Sequence, residues 1–325
     1  MIPMIYLTSS KDPAVNLAIE TYLIKNANCN EVILLLWQNE NTIVIGRNQN
    51  PYQECNLEEI KVNNVSLVRR CSGGGAVYHD LGNLNFSFIT GEENYDVNKQ
   101  LQVIIEALKP FGLKAEYSGR NDIVIDGKKF SGNAFYSEEG TSCHHGTLLL
   151  DADVEKMIRY LSVSAIKIDS KAIQSVKSRV VNLSELNPDI TIETIKKSLY
   201  NSFESIYGTI ESVEELNIPM DSIRDEVTKN RSWDWTYSQS PSYSVTLTEK
   251  FDWAVVEFSY DVSDGKFKEC SFNTDALILE NFSGLERELI GKEVKIETIN
   301  RAIKYIIKNA RVRDDLISLF DRYIK

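Results

Sequence analysis

The sequence predicts an α+β protein in two parts. A large domain of mixed, largely antiparallel sheets with flanking helices spans residues 1–245, and a small α+β C-terminal domain spans 246–325. Three observations carry this expectation. At 325 residues the chain exceeds the ~100 to 200 residues usual for one core. VILLLW (Val32 to Trp37) reads as a strand buried on both faces, while NLNFSFI alternates Leu84, Phe86 and Phe88 with Asn85 and Ser87 as a half-buried antiparallel strand does. Beyond the aromatic, proline-broken stretch from Arg231 to Ser244 the pattern changes, which places the boundary near residue 245.

Taken in order, Asp12 and Pro13 read as a helix cap and first-turn proline, and AVNLAIETYLI follows as a helix with a wide buried face. Glu20 reads as that helix's solvated side. VILLLW and TIVIG (Thr42 to Gly46) are expected to pair across a QNEN turn, and polar residues then cluster at the strand mouth, Gly46 to Pro51. VSLVRR delivers the chain to RRCSGGGAVYHDLGNLNF, Arg69 to Phe86. A helix over about 97–109 carries Leu101, Ile104, Ile105 and Leu108 on one face and is ended by Pro110 and Gly112. Strands AEYS and DIVID follow. Asp126-Gly127 is suited to a tight hairpin turn, and KKFSGNAFYS is the returning strand. HHGTLLLD (His144 to Asp151) is a further strand, and a short helix covers 153–161. Ser170 to Leu183 is a basic, Ser-rich loop, and Ile192, Ile195, Leu199, Phe203 and Ile206 form the core face of a helix stopped at Gly208. The tail holds a hairpin turning at Asp264-Gly265, then two helical patterns with Ile299, Ile303 and Ile306, and Leu316, Leu319 and Phe320.

Composition excludes several classes. No apolar run approaches the ~18 residues of a membrane span, and the amino terminus lacks a basic start with an apolar core, so a soluble cytoplasmic protein with no membrane partner is expected. Cys29, Cys55, Cys71, Cys143 and Cys270 are odd in number, scattered and never in a C-x-x-C arrangement, which argues against a disulfide framework or zinc ribbon. A net charge of -11 disfavours a nucleic-acid surface but leaves room for a small anion held by a local basic cluster.

The chemistry-bearing stretch is Gly73-Gly74-Gly75. Three glycines in a row forfeit packing, so they belong where backbone turns sharply or lets a ligand come close. The plain alternative is a bulge beside two solvated arginines. Lys128 and Lys129 are successive residues of a strand, so at most one of them faces a site on the sheet. His144 and His145 likewise point to opposite faces and are poor co-ligands for one metal.

Six stretches together resemble the bacterial two-domain lipoate-protein ligases: NLAIE (Asn16 to Glu20), IGRNQNP, RRCSGGGAVYHDLGNLNF, GRNDIVIDGKKFSGNA, HHGTLLLD and SKAIQSVKSRVVNL. They arrive in family order and cover most of residues 12–183. The C-terminal part resembles the family's accessory domain in size and pattern only. The resemblance implies the fold shared with biotin-protein ligases and a two-step reaction. Lipoate and MgATP give lipoyl-adenylate (lipoyl-AMP) and pyrophosphate, and the lipoyl group then passes to a specific lysine of a carrier domain.

Carried onto this chain, the resemblance makes Lys129 the catalytic contact to lipoyl carbonyl and phosphate. Arg70, Ser72, Gly73, Gly74, Gly75, Ala76, Val77, His79, Asn83, Asp122, Gly132, His145, Gly146 and Thr147 become the substrate and adenylate wall, with Asp122 also a candidate Mg2+ ligand. Lys171, Ser178 and Arg179 fall on the loop that closes over the adenylate, where Ala172 stands in place of an expected glycine. Arg69 is assigned a structural role. The implied partners are lipoate or octanoate and lipoyl carrier domains, namely the E2 subunits of 2-oxoacid dehydrogenases and the H protein of glycine cleavage, acted on by a monomer. Two alternatives stay open: an ATP-independent octanoyl or lipoyl transferase of the same fold working through a cysteine thioester, and a non-catalytic carrier-domain binder.

Overall fold

The computed structural model describes residues 1–118, 121–138, 140–161, 178–238, 245–274, 276 and 280–323. Contacts divide the chain into Met1–Ser240 and Pro241–Lys325, a few residues ahead of the expected boundary.

The first unit is built on one large sheet. Its strands are β1 (Ile2–Leu7), β2 (Glu31–Trp37), β6 (Asn83–Gly91), β7 (Glu116–Tyr117), β8 (Asp122–Ile125), β9 (Lys128–Glu138), β10 (Thr141–Leu149) and β11 (Ser212–Glu215), in the order β11-β1-β2-β6-β10-β9-β8-β7. The β1 pairings with β11 and β2 are parallel and all the others antiparallel, so the sheet is mixed and largely antiparallel. A small second sheet, β4-β3-β5, comprises β3 (Thr42–Ile45), β4 (Ser66–Arg69) and β5 (Val77–His79). The hairpin between β8 and β9 turns on Asp126 (φ 49°) and Gly127 (φ 75°), the two positive φ values that its tight turn demands.

Alternation along the strands gives the large sheet two unlike faces. One carries Phe86, Phe88, Phe135 and His144, whose rings pack together, with Phe203 of α4 (Ile192–Tyr207) 6.2 Å from Phe88. Helix α4, which follows α2 (Val97–Glu106) and the short α3 (Val154–Tyr160) in the chain, starts at a capping box of Thr191 and Thr194 and is tied to α2 by Ser202 Oγ, which donates to Val103 O. The opposite face meets α1 (Pro13–Asn26), capped by Asp12 through the Ala14 and Val15 N–H groups. Ala14, Leu17, Ala18 and Leu23 pack there on Ile33, Leu35, Trp37 and Ile89, with Ile223 and Val227 of α5 (Met220–Arg231) behind them. Helix α1 is therefore enclosed on almost all sides, and its residues from Asn16 to Thr21 are all buried.

Three expectations need correction. β2 and β3 are not partners: β2 pairs with β1 and β6, and β3 with β4 and β5. The QNEN link is no hairpin turn, because it has contacts of its own. Asn16 Nδ2 donates to Gln38 O at 2.8 Å and to Asn39 Oδ1 at 2.9 Å, which draws the chain out of the large sheet. Glu20 is 6% exposed, on a helix with no solvated side at that turn. The tail carries three helices where two are expected, α6 (Phe282–Leu289), α7 (Ile296–Ile306) and α8 (Ala310–Tyr323), with β12 (Val245–Lys250), β13 (Val255–Ser263) and β14 (Lys266–Thr274) as an antiparallel sheet. Phe258, Phe272, Leu285, Ile303, Leu316 and Phe320 form a core of its own.

The face packed by α4 yields a direct test. Phe203→Ala removes a fully buried ring and should lower stability by about 3–5 kcal/mol. Urea unfolding of the purified variant reads this, and a loss under about 1 kcal/mol would mean that the face tolerates the cavity.

Candidate active site

The site grows from the end of β4, where Arg69 and Arg70 point to opposite sides. Arg69 is fully buried, and its guanidinium donates to five backbone carbonyls. Nη1 donates to the carbonyls of Gly46, Arg47 and Gln49, Nη2 to Thr236 O and Nε to Trp235 O. The polar turn after β3 is thereby pinned to the segment after α5. Arg70, 7% exposed, does the same for the glycine loop: Nη2 donates to Gly73 O at 2.6 Å and Gly75 O at 2.9 Å, Nε to Ser72 Oγ at 3.0 Å, and Nη1 to Val44 O. Burial lowers both guanidinium pKa values to about 10, with the Glu20 charge partly offsetting this at Arg70, so both stay cationic at neutral pH.

The glycines are required by this geometry. Gly74 has φ +88°, and a Cβ on Gly46 would overlap the Gly74 carbonyl oxygen. The carbonyls of Gly73 and Gly75 turn in toward Arg70. Across a planar trans peptide the following N–H groups, of Gly74 and Ala76, then point away from it. The Gly73, Gly74 and Gly75 N–H groups donate to no acceptor among the described residues. Successive unspent backbone amides are the donors from which anion-binding concavities are built.

The loop lies over β9: a Cβ on Gly74 would come within 3.8 Å of Ala134 Cβ. Two residues along the same face, about 7 Å away by strand rise, is Gly132, and Lys129 Nζ crosses over it. Lys129 Nζ pairs with Asp122 Oδ1 at 2.7 Å, and Gly132 N–H donates to Thr147 Oγ1 at 3.2 Å. Lys128 is exposed. The Lys129 backbone binds the chain at both groups, with its N–H donating to Arg179 O and its carbonyl accepting from Val181 N. Arg179 and Ser178 are exposed at this junction, whereas Lys171 and Ala172 lie outside the described residues.

Beneath the loop runs a buried polar chain. Ser72 Oγ is 2.7 Å from His145 Nε2, and His145 Nδ1 is 2.9 Å from Glu20 Oε1. Ser87 Oγ donates to the same Glu20 oxygen at 2.6 Å and accepts from Trp37 Nε1 at 3.0 Å. Burial alone would raise the Glu20 pKa, but His145, Ser87 and Arg70 outweigh it and hold the carboxyl below its ordinary value. Glu20, Trp37 and Ser87 are absent from the expected site. The available signal is the NLAIE helix, too apolar on every side to leave a glutamate in water.

The remaining expected residues separate into two groups. His79 lies near Arg70 and His145, and Asn83 and Asn85 follow along β6. Buried His79 Nε2, Asn83 Oδ1 and Asn85 Nδ2 have no hydrogen-bond partner among the described residues, as is also true of atoms away from the site such as Tyr95 Oη and Ser271 Oγ. Gly146 is different: a Cβ there would meet Phe86 and Asn133 on the far face, so its role is packing. Val77 begins β5, half-buried against the α1 core, and Ala76 packs against the Ile43 and Tyr78 cluster. Among the described residues, the His, Cys, Asp or Glu side chains grouped closely enough for a metal are Glu20, Cys143 and His145, and Asp122 belongs to no such group.

Comparison with known proteins decides the family. Residues 12–204 match the lipoyl protein ligase A/B catalytic domain, and residues 240–319 match the bacterial lipoate protein ligase C-terminus. The chain belongs to the lipoyl protein ligase A/B family. It is 38% identical over 318 residues to a lipoate-protein ligase A of Blochmanniella floridana, covering 95% of this chain and 94% of that one. Among solved structures, P. falciparum LipL1 in complex with lipoate is 30% identical with a TM-score of 0.82, covering 97% of this chain and 98% of that one. A bipartite lipoate protein ligase from Thermoplasma acidophilum, studied with its E2 lipoyl domain, is 25% identical with a TM-score of 0.68, covering 75% and 100%. The protein is thus a lipoate-protein ligase by family, and its fold is that of the solved ligases.

Burial at the site has a pH signature. His79 and His144 are lowered from the ordinary 6.5 to about 3, chiefly by burial, so the native state keeps both neutral where the unfolded chain protonates them. Stability should therefore fall as pH drops from about 6.5 toward 3, by up to about 1.4 kcal/mol per pH unit for each histidine. Urea midpoints near neutral pH and at about pH 5 measure this, and an unchanged midpoint would contradict the buried neutral assignment.

Proposed function

We propose that the protein joins lipoate to MgATP, forming lipoyl-adenylate and pyrophosphate, and then transfers the lipoyl group to a lysine of lipoyl carrier domains. The observation that carries this reading is the glycine loop, which gives the Gly73 and Gly75 carbonyls to Arg70 and keeps its amides without an acceptor among the described residues, set one step along β9 from the Lys129–Asp122 pair. In the first step a lipoate carboxylate oxygen bonds the α-phosphorus and the bond to pyrophosphate breaks. That step needs no side-chain nucleophile. It needs two anions held together and the developing charge met by fixed donors, and here the loop amides and the Lys129 ammonium would do so. In the second step the carrier amine bonds the acyl carbon, AMP leaves and the amine loses its proton.

Asp122, paired with Lys129, is read as a carboxylate that would meet the magnesium of MgATP, which commonly uses one or two carboxylates plus the substrate's phosphates. Taking up the cation would release Lys129 for the substrate. The lipoate complex of the P. falciparum relative and the E2 lipoyl domain of the archaeal system support the choice of acid and carrier. The carriers are read as E2 subunits and the glycine cleavage H protein, the acid as lipoate or octanoate, and the enzyme as a cytoplasmic monomer. No helix of the described residues is long and apolar enough to cross a membrane.

The thioester alternative is weakened by its own chemistry. Burial pushes the Cys71 thiol up and the Cys143 thiol well up, the reverse of an activated thiolate. Lys129→Ala should leave a folded protein whose lipoate-dependent pyrophosphate release falls roughly 100-fold to 1,000-fold. Release equal to the parent's would remove Lys129 from the chemistry.

A further inference from the structure

We propose that Glu20 is a positioning residue for this reaction, acting through His145 and Ser72 to hold the glycine loop in its ligand-ready shape. The proposal rests on the ligase reading above. Its starting point is that the two ends of a buried hydrogen-bond chain carry fixed charges of opposite sign. At one end the Arg70 guanidinium has only donors, so Nε–H must donate to Ser72 Oγ. At the other end the Glu20 carboxylate has only acceptors, and it is reached by His145 Nδ1.

Those ends permit one continuous run of donors between them. With one lone pair given to Arg70, the Ser72 hydroxyl can donate to His145 Nε2 at 2.7 Å. In the tautomer that accepts at Nε2, the Nδ1 proton points at Glu20 and every link runs in one direction, from guanidinium to carboxylate. Ser87 and Trp37 add a second donor path onto the same carboxylate oxygen, which holds Glu20 against rotation.

The chain also spans three elements that the covalent order keeps apart: α1, β10 and the loop after β4. Ser72 is the residue by which the loop is attached to the large sheet. Its carbonyl further accepts from Arg47 N–H at 2.8 Å, joining the two turns. A change at Glu20 therefore reaches the amides of Gly73 to Gly75 without Glu20 touching a substrate. A surface ion pair is excluded for Glu20 by its burial, and beside His145 and Ser87 its carboxylate meets the Cys143 thiol, which burial keeps protonated.

A double-mutant cycle tests the proposal, using Glu20→Gln, Ser72→Ala and the two combined in the full chain. Lipoate-dependent pyrophosphate release is the readout, and thermal melting checks that each variant is folded. Each single change should raise the KM for lipoate about 10-fold to 100-fold, the range for losing a hydrogen bond to a charged group. The double variant should be no worse than the poorer single one, because both cut the same chain. Effects that multiply, or a melting loss with KM unchanged, would overturn the proposal and leave Glu20 a structural residue.

Isotope-edited imidazole NMR gives a second reading that needs no turnover. The chain has three histidines. The Nδ1 proton of His145 should move on Glu20→Gln while the rings of His79 and His144 stay in place. An unmoved His145 resonance would also overturn the proposal. A parent protein that released no pyrophosphate with lipoate and MgATP would instead fail the ligase reading, and with it the role given to Glu20.

Discussion

A buried guanidinium has to place every donor it owns, and in this protein that requirement is met twice in succession. Leaving such a group unpaired inside a protein costs several kcal/mol. Arg69 and Arg70 avoid that cost by taking up backbone carbonyls, one from the turn after β3 and the other from the glycine loop. Folding the loop around Arg70 turns its carbonyls inward, and the rigid peptide geometry then presents amides on the other side. The positive charge and the amides act together, in a chain whose overall charge is -11. In the proposed function, anion binding is a local construction and owes nothing to the protein's net field.

The same requirement couples the loop to the rest of the fold. Arg70 binds Ser72, Ser72 binds His145, and His145 binds Glu20 in the middle of the most enclosed helix of the first unit. Across the sheet, Lys129 is held over Gly132 by Asp122. Neither cluster stands on a free loop. Both are rooted on one face of the large sheet, while the other face, with Phe86, Phe88 and His144, is given wholly to packing. Strand alternation divides the two histidines of the HHG motif between these tasks.

Much of this is legible in the sequence for identifiable reasons. Asp126-Gly127 announces its hairpin because few residues tolerate positive φ twice running, and the glycine run announces a close approach because glycine serves little else. The alternation in β6 gives its two unlike faces, although the strand is buried on both where a half-buried one is expected, and the spacing from Ile192 gives α4. What is not legible depends on partners distant in the chain. The two-sided burial of β2 does not say which strands flank it, so its pairing with β3 is a natural expectation and a wrong one. Glu20 looks solvated despite its apolar helix because Ser87 and His145, the partners that hold it, lie far away in the chain. The inward turn of Arg70 is hidden as well, since an arginine beside three glycines reads equally well as a ligand contact. The third helix of the tail has too short an apolar pattern to declare itself.

The central claim is that the loop and Lys129 together activate an acid with ATP and deliver it to a protein lysine. Its most direct test is to incubate the purified chain with lipoate, MgATP and apo lipoyl carrier domains, omitting each in turn, and to weigh the carriers by mass spectrometry. The account predicts a lipoyl mass increment on a carrier only when all components are present. An increment without ATP, or none on any E2 or H-protein carrier, would contradict it.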